Sequence, residues 1–284
     1  MSCGSGCARS ETTLSMKQSR VLTTALLVVS TLLTGVNGSA QQTSGVGALG
    51  LTVSPAKLDL AAPIGTNYNV PITISNGSAA ATHIQASMVD FTVLQNGNYE
   101  FLHIGTRPNS LMRWASINPR EFDMPGGTNQ QVRLSLTLPK DPALSGEYAG
   151  IVFFQTRPVR RAGAVAFSAR IATKIYFTIA GTEKIDGAVA KMSVASGSNG
   201  EKYRVLFKNT GNVHEYIRGE IQVQKDGATV DRIEIPPNDL VERGGERLIE
   251  VTGKSLPSGK YQVVAMVDYG GKAMTGGEVA FNKQ

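Results

Sequence analysis

Apolar and polar residues alternate along most of this chain, and no stretch keeps helical periodicity for three turns. Successive side chains of a strand point to opposite faces, so period-two alternation marks half-buried strands. Broken at clusters of Gly, Pro, Asn and Ser, the first half predicts strands over residues 51–60, 68–75, 83–92, 131–138, 148–156 and 165–179. The second half predicts strands over 188–195, 203–209, 217–224, 230–235, 247–251, 261–268 and 273–281. About seven strands in roughly a hundred residues is the count of an immunoglobulin-like sandwich. The expectation is therefore an all-β chain of two immunoglobulin-like β-sandwich domains in tandem.

A faint internal repeat points the same way. Ser75-Asn76-Gly77, Gly126-Gly127 ahead of Arg133, and Ser145-Gly146-Glu147-Tyr148 recur in order as Asn209-Thr210-Gly211, Gly244-Gly245 ahead of Arg247, and Ser258-Gly259-Lys260-Tyr261. Each Gly-x-Tyr element places a tyrosine where its hydroxyl can bond back to the backbone, as a tyrosine corner does. The junction between domains is expected at Ala180-Gly181-Thr182, giving domains over 51–181 and 182–284.

Ahead of the strands, Lys17 and Arg20 precede an uncharged apolar run and then Gly38-Ser39-Ala40. That order reads as a secretory signal peptide over residues 1–40, its apolar run too short for a membrane span, followed by a flexible leader over 41–50. Met16 is an alternative initiator. Both cysteines, Cys3 and Cys7, lie upstream of it, so the mature chain is expected to carry no thiol, disulfide or cysteine metal ligand. Loss of Arg9, Glu11, Lys17 and Arg20 lowers the formal charge from +6 to +4. A charge this small argues for a soluble exported protein rather than a nucleic-acid binder. With no later segment long and apolar enough to span a membrane and no anchoring signal, the expected place is the periplasm, with the protein not membrane-inserted.

Catalytic material is sparse. The three histidines, His83, His103 and His214, have no metal-ligand spacing, and there is no nucleophile elbow or P-loop. Gly45, Gly47 and Gly50 spell a dinucleotide-type glycine motif, but they precede a strand instead of following one, so the chemistry of that motif does not apply. No enzyme activity, cofactor or metal is expected. Arg157, Arg160, Arg161 and Arg170 read as a solvated basic loop whose charge also discourages indiscriminate edge pairing.

One strand stands apart. Val165, Phe167, Ala169 and Ile171 alternate on one face, and Lys174 follows shortly after. At a sheet edge such a strand is suited to β-augmentation, with main-chain bonds supplying affinity and alternate side chains filling a partner's pockets. The other reading of the same alternation is that these side chains pack into their own core, as in the last strand of any sandwich.

With these features the chain resembles the periplasmic chaperones of chaperone–usher pilus assembly, from about Leu51 onward. In that family the first domain's last strand carries alternating apolar residues and then a lysine, as Val165, Phe167, Ala169 and Lys174 do. A second basic residue, usually arginine, sits on the family's first strand, and the position similar to it here is Lys57, in Ser54-Pro55-Ala56-Lys57. The stretch from Ile117 to Gly127, with Gln130-Gln131-Val132-Arg133 after it, is similar to a further family pattern. The resemblance implies a donor strand that caps incomplete pilus or surface-fibre subunits, Lys57 and Lys174 as anchors for the subunit's C-terminal carboxylate, and an outer-membrane usher as further partner. The chain departs from the family in having lysine at position 57 and in lacking the Tyr-Arg-Pro ending, since Tyr176 is followed by Phe177-Thr178. The rival expectation is a secreted two-domain adhesive or scaffold protein that donates no strand.

Overall fold

The computed structural model describes residues 50–158 and 167–284. The signal-peptide expectation, nearly all of the leader, and Val165 lie outside the described residues. The described chain forms two β-sandwiches in tandem, as the alternation predicted. Among the described residues no helix is long and apolar enough to cross a membrane.

In the first sandwich, β1 (Leu51–Ser54), β3 (Asn67–Asn76), β8 (Asn129–Thr137) and β6 (Ala115–Asn118) make one sheet in the order β1-β3-β8-β6. The other is ordered β2 (Lys57–Ala62), β10 (Arg170–Ile179), β9 (Glu147–Thr156), β4 (Thr82–Val93) and β5 (Tyr99–Leu102), with β7 (Glu121–Met124) also paired to β4. The predicted strand over 51–60 is thus two strands in two sheets. Pro55 has no N–H to give a ladder, and the chain crosses there from one sheet to the other. Inward side chains of the two sheets, among them Ile72, Ile74, Val132 and Leu134 against Ile84, Phe154, Ile175 and Phe177, form the core. Burying each contributes roughly 1.5–3 kcal/mol before ordering costs.

The second sandwich stacks β11 (Gly187–Gly197), β12 (Gly200–Asn209) and β15 (Glu246–Thr252) on β14 (Ala228–Val241), β13 (Glu215–Lys225), β16 (Gly259–Asp268) and β17 (Thr275–Lys283). Tyr203, Val205 and Phe207 face Ile217, Ile221, Val223 and Val263 across its core.

The repeat has a physical content. Asn76 and Asn209 are both buried and end equivalent strands. The Asn76 amide donates to the carbonyl of Ala80 at 2.9 Å and that of Asn209 to Val213 at 2.8 Å, while their side-chain oxygens accept from the backbone N–H of Ser78 and Gly211. One tyrosine corner forms as expected: the Tyr261 hydroxyl donates to the Pro257 carbonyl at 2.8 Å. At Tyr148 no such bond is present, because its ring packs on Trp114, centroids 4.7 Å apart, and lies under Arg243.

Glu215 is buried at the start of β13, where one carboxylate oxygen accepts the Asp186 N–H at 3.0 Å and the other has no partner. Burial pushes its carboxyl up to about 7, outweighing that hydrogen bond, and the nearby Asp186 charge adds to the rise. A raised acid is protonated in the folded state while the unfolded chain ionises near 4.5. Stability therefore falls as pH rises from about 4.5 through about 7. Glu215→Gln is expected to match wild type near pH 4.5 and to exceed it by on the order of 1–3 kcal/mol above pH 7.5, read by urea unfolding at both values.

Candidate functional site

Parallel pairing of β2 with β10 runs from Lys57↔Lys174 to Ala62↔Ile179, so the two expected anchor lysines are cross-strand neighbours at the first rung. Neighbouring strands lie about 4.8 Å apart, and like charges directly opposite repel. Lys57 pairs with Asp59 at 2.9 Å, an exposed carboxylate. No described carboxylate pairs with Lys174.

Three tyrosines hold this lysine pair. The Lys57 ammonium donates to the Tyr216 hydroxyl at 2.9 Å, and that of Lys174 to the Tyr99 hydroxyl at 2.7 Å. Both ammoniums also lie near the ring of Tyr176, 5.3 and 5.5 Å from its centroid. Burial by itself lowers the Lys57 ammonium, but the hydrogen bonds to Tyr216 and Asp59 carry it above the usual lysine range, so it remains a cation. Tyr176 is buried and shares a face with Lys174 because the two are at alternate positions of one strand.

Tyr216 belongs to the second sandwich, so the site lies between the two. His214 stacks on Tyr176 with centroids 4.2 Å apart, and its Nδ1 bonds the buried Glu147 carboxylate. Arg243 donates to the carbonyls of Ser145 at 2.9 Å and Glu147 at 3.2 Å. Asn212 ties the turn before β13 to the other sandwich and to the connecting segment: its carbonyl accepts the Glu147 N–H at 2.8 Å, and its amide donates to Thr182 at 2.8 Å. Gly146 makes this approach possible, since a Cβ there would meet the Asn212 oxygen at 2.3 Å and its φ is +67°. The sheet face under the site is apolar, with Phe91, Val93, Ile151, Phe153 and Tyr176 buried and Leu240 of the second sandwich packed on it.

The backbone of β10 continues past the lysines without β2. The Lys174 N–H donates to the Ala56 carbonyl at 3.0 Å, and strand alternation turns the N–H groups of Arg170 and Ala172 the same way. No described strand pairs with β10 on that side before Lys174. Its other side is taken by β9, from Arg170↔Gln155 to Thr178↔Glu147.

The four expected donor side chains fare differently. Phe167 is 65% exposed, Ala169 is half-buried against the first core, and Ile171 is 7% exposed and a member of that core. Ile171 is thus not available to a partner's pocket: it lies on the inward face of β10, opposite in parity to Arg170, Ala172 and Lys174. Val165 lies outside the described residues.

The chain is similar to solved fimbrial chaperones. The class 5 fimbriae chaperone CfaA is 12% identical with a TM-score of 0.47, the likeness covering 82% of this chain and 99% of that one. In a structure of the Salmonella enterica SafA pilin with the SafB chaperone, a chain is 13% identical with a TM-score of 0.44, covering 84% and 99%. For the CsuC–CsuE chaperone–tip subunit complex of Acinetobacter baumannii the values are 10%, 0.44, 82% and 99%. No family model and no curated protein matches the chain. At such identities the lysine pair and its surroundings, not these likenesses, bear on what the protein does.

Sequence reasoning did not find Tyr99, Tyr216, His214 or Asp59. Asp59 and Tyr176 were within reach of strand parity, each lying two residues from a lysine on its face. Tyr99 and Tyr216 are brought in by tertiary packing alone. Repulsion within the lysine pair is screened by salt, so replacing Lys174 by glutamine is expected to become less favourable, relative to wild type, as NaCl rises from about 10 mM to about 0.5 M. The change is expected at about 0.2–1 kcal/mol in paired urea titrations.

Proposed function

We propose that this chain is a periplasmic chaperone of the chaperone–usher type, which binds incomplete pilus or surface-fibre subunits through the open edge of β10 and holds their C-terminal carboxylate between Lys57 and Lys174. The observation that carries this reading is the lysine pair in register at the rung where the open edge ends. Two cations side by side with one exposed counter-carboxylate favour an anion, and a chain ending there is placed to continue as a strand along Arg170–Ala172. Each hydrogen bond to the charged carboxylate contributes about 1.5–3 kcal/mol. The anchor also fixes register, since a one-residue slip turns every side chain to the wrong face.

In this reading the main chain at Arg170 and Ala172 pairs with the client, and Phe167 enters its groove, as Val165 does by sequence alternation alone. Subunits capped this way would pass to an outer-membrane usher. The buried, internally paired Ile171 favours the second reading, an adhesive or scaffold protein that donates no strand, for that residue alone.

Ala172→Pro separates the two readings. Its N–H faces the open side, so proline removes no bond to β9 yet blocks pairing at the edge. Envelope proteins that co-purify with wild type are expected to be small secreted β-proteins, and to be lost with both Ala172→Pro and Lys174→Ala. Recovery of the same set with both folded variants contradicts strand capture.

A further inference from the structure

We propose that the Tyr176 hydroxyl is a third hydrogen-bond donor to the carboxylate held by Lys57 and Lys174, an inference that rests on the carboxylate site proposed above. Lys57, Asp59, Lys174 and Tyr176 occupy alternate rungs of the β2–β10 ladder and so share one face, Lys57 beside Lys174 and Asp59 beside Tyr176. Tyr176 is 2% exposed and its hydroxyl has no hydrogen-bond partner. A buried polar group left unsatisfied costs about 1–3 kcal/mol and in a native fold asks for an explanation.

Its surroundings show what is missing. The ammoniums of Lys57 and Lys174 lie near its ring, and an ammonium donates and never accepts, so neither can take the Tyr176 proton. Both ammoniums are already engaged, with Tyr216 and Tyr99. Asp59 pairs with Lys57, and Glu147 bonds the ring and backbone of His214, but neither carboxylate is a hydrogen-bond partner of the Tyr176 hydroxyl. What that hydroxyl lacks is an acceptor within its reach. An ionised carboxylate is acceptor-only, with about four lone-pair positions for two ammoniums and one hydroxyl. The ring is held for the purpose by the His214 stack and by the edge of Phe91, centroids 6.0 Å away. Burial raises the phenol well above its ordinary value, so the group keeps the proton it must donate. On binding, the ammoniums move from Tyr216 and Tyr99 to the carboxylate, which opens Tyr176 to it.

The test uses calorimetry with the full mature chain and a twelve-residue peptide of alternating valine and threonine, prepared with a free C-terminal carboxylate and as its amide. Wild type is expected to prefer the free carboxylate, and Tyr176→Phe to lose about tenfold of that preference. Its affinity for the amide and its melting temperature are expected to be unchanged, or the latter raised, since phenylalanine removes the orphaned hydroxyl. Full preference in Tyr176→Phe with loss in Lys174→Ala overturns this inference and leaves the lysine site standing. No preference in wild type overturns the carboxylate site and this inference with it.

Discussion

Parallel pairing of β2 with β10 starts at a proline break and runs in one direction only, and the rest of the site depends on that limit. Because Pro55 ends β1 and sends the chain across to the second sheet, the first rung of the new ladder falls at Lys57 and Lys174. Beyond that rung β10 keeps its partner on one side and has none described on the other. One covalent constraint thereby sets both the place of the two charges and the start of the free edge. An unpaired edge is a hazard that proteins manage with charge, and here the charges stand at its end.

The second sandwich supplies the other wall and is tied to the first at the backbone around the site, leaving the lysine side chains free to change partners. Asn212, His214 and Arg243 each bond to the Ser145–Glu147 corner of the first sandwich, and Leu240 covers part of its apolar sheet face. Groups ordered before a ligand arrives need not be ordered by it, which preserves more of the contact energy as affinity. His214 and Tyr216 come from one strand start, two residues apart, so the same docking sets the ring that stacks on Tyr176 and the hydroxyl that holds Lys57.

Much of this is legible in the sequence, and the limits have physical reasons. Alternation located most of the strands, and of the recurring signatures the Asn turn has the same structural content in both halves, at Asn76 and Asn209, whereas the Gly-x-Tyr element forms its corner only at Tyr261. Alternation runs through Pro55 as if over one strand, but the missing N–H there breaks the ladder into two. The short strands β5, β6 and β7 are four residues each, too brief for a period-two signal. Alternation also could not tell which face of β10 is inward, and the Ile171 face proved to be the core. Tyr99 and Tyr216 reach the lysines through tertiary packing, which leaves no local trace in sequence.

The claim at the centre is that the edge of β10 before Lys174 is open in the free protein and pairs with a client strand. Amide hydrogen exchange at Arg170 and Ala172, measured in the free protein and in complex with a captured subunit, tests it directly. Fast exchange in the free state and strong protection in the complex is the expected result, with Ile171 and Thr173 slow in both because they bond to β9. Slow exchange at Arg170 and Ala172 in the free protein, or exchange unchanged by the subunit, would contradict the account.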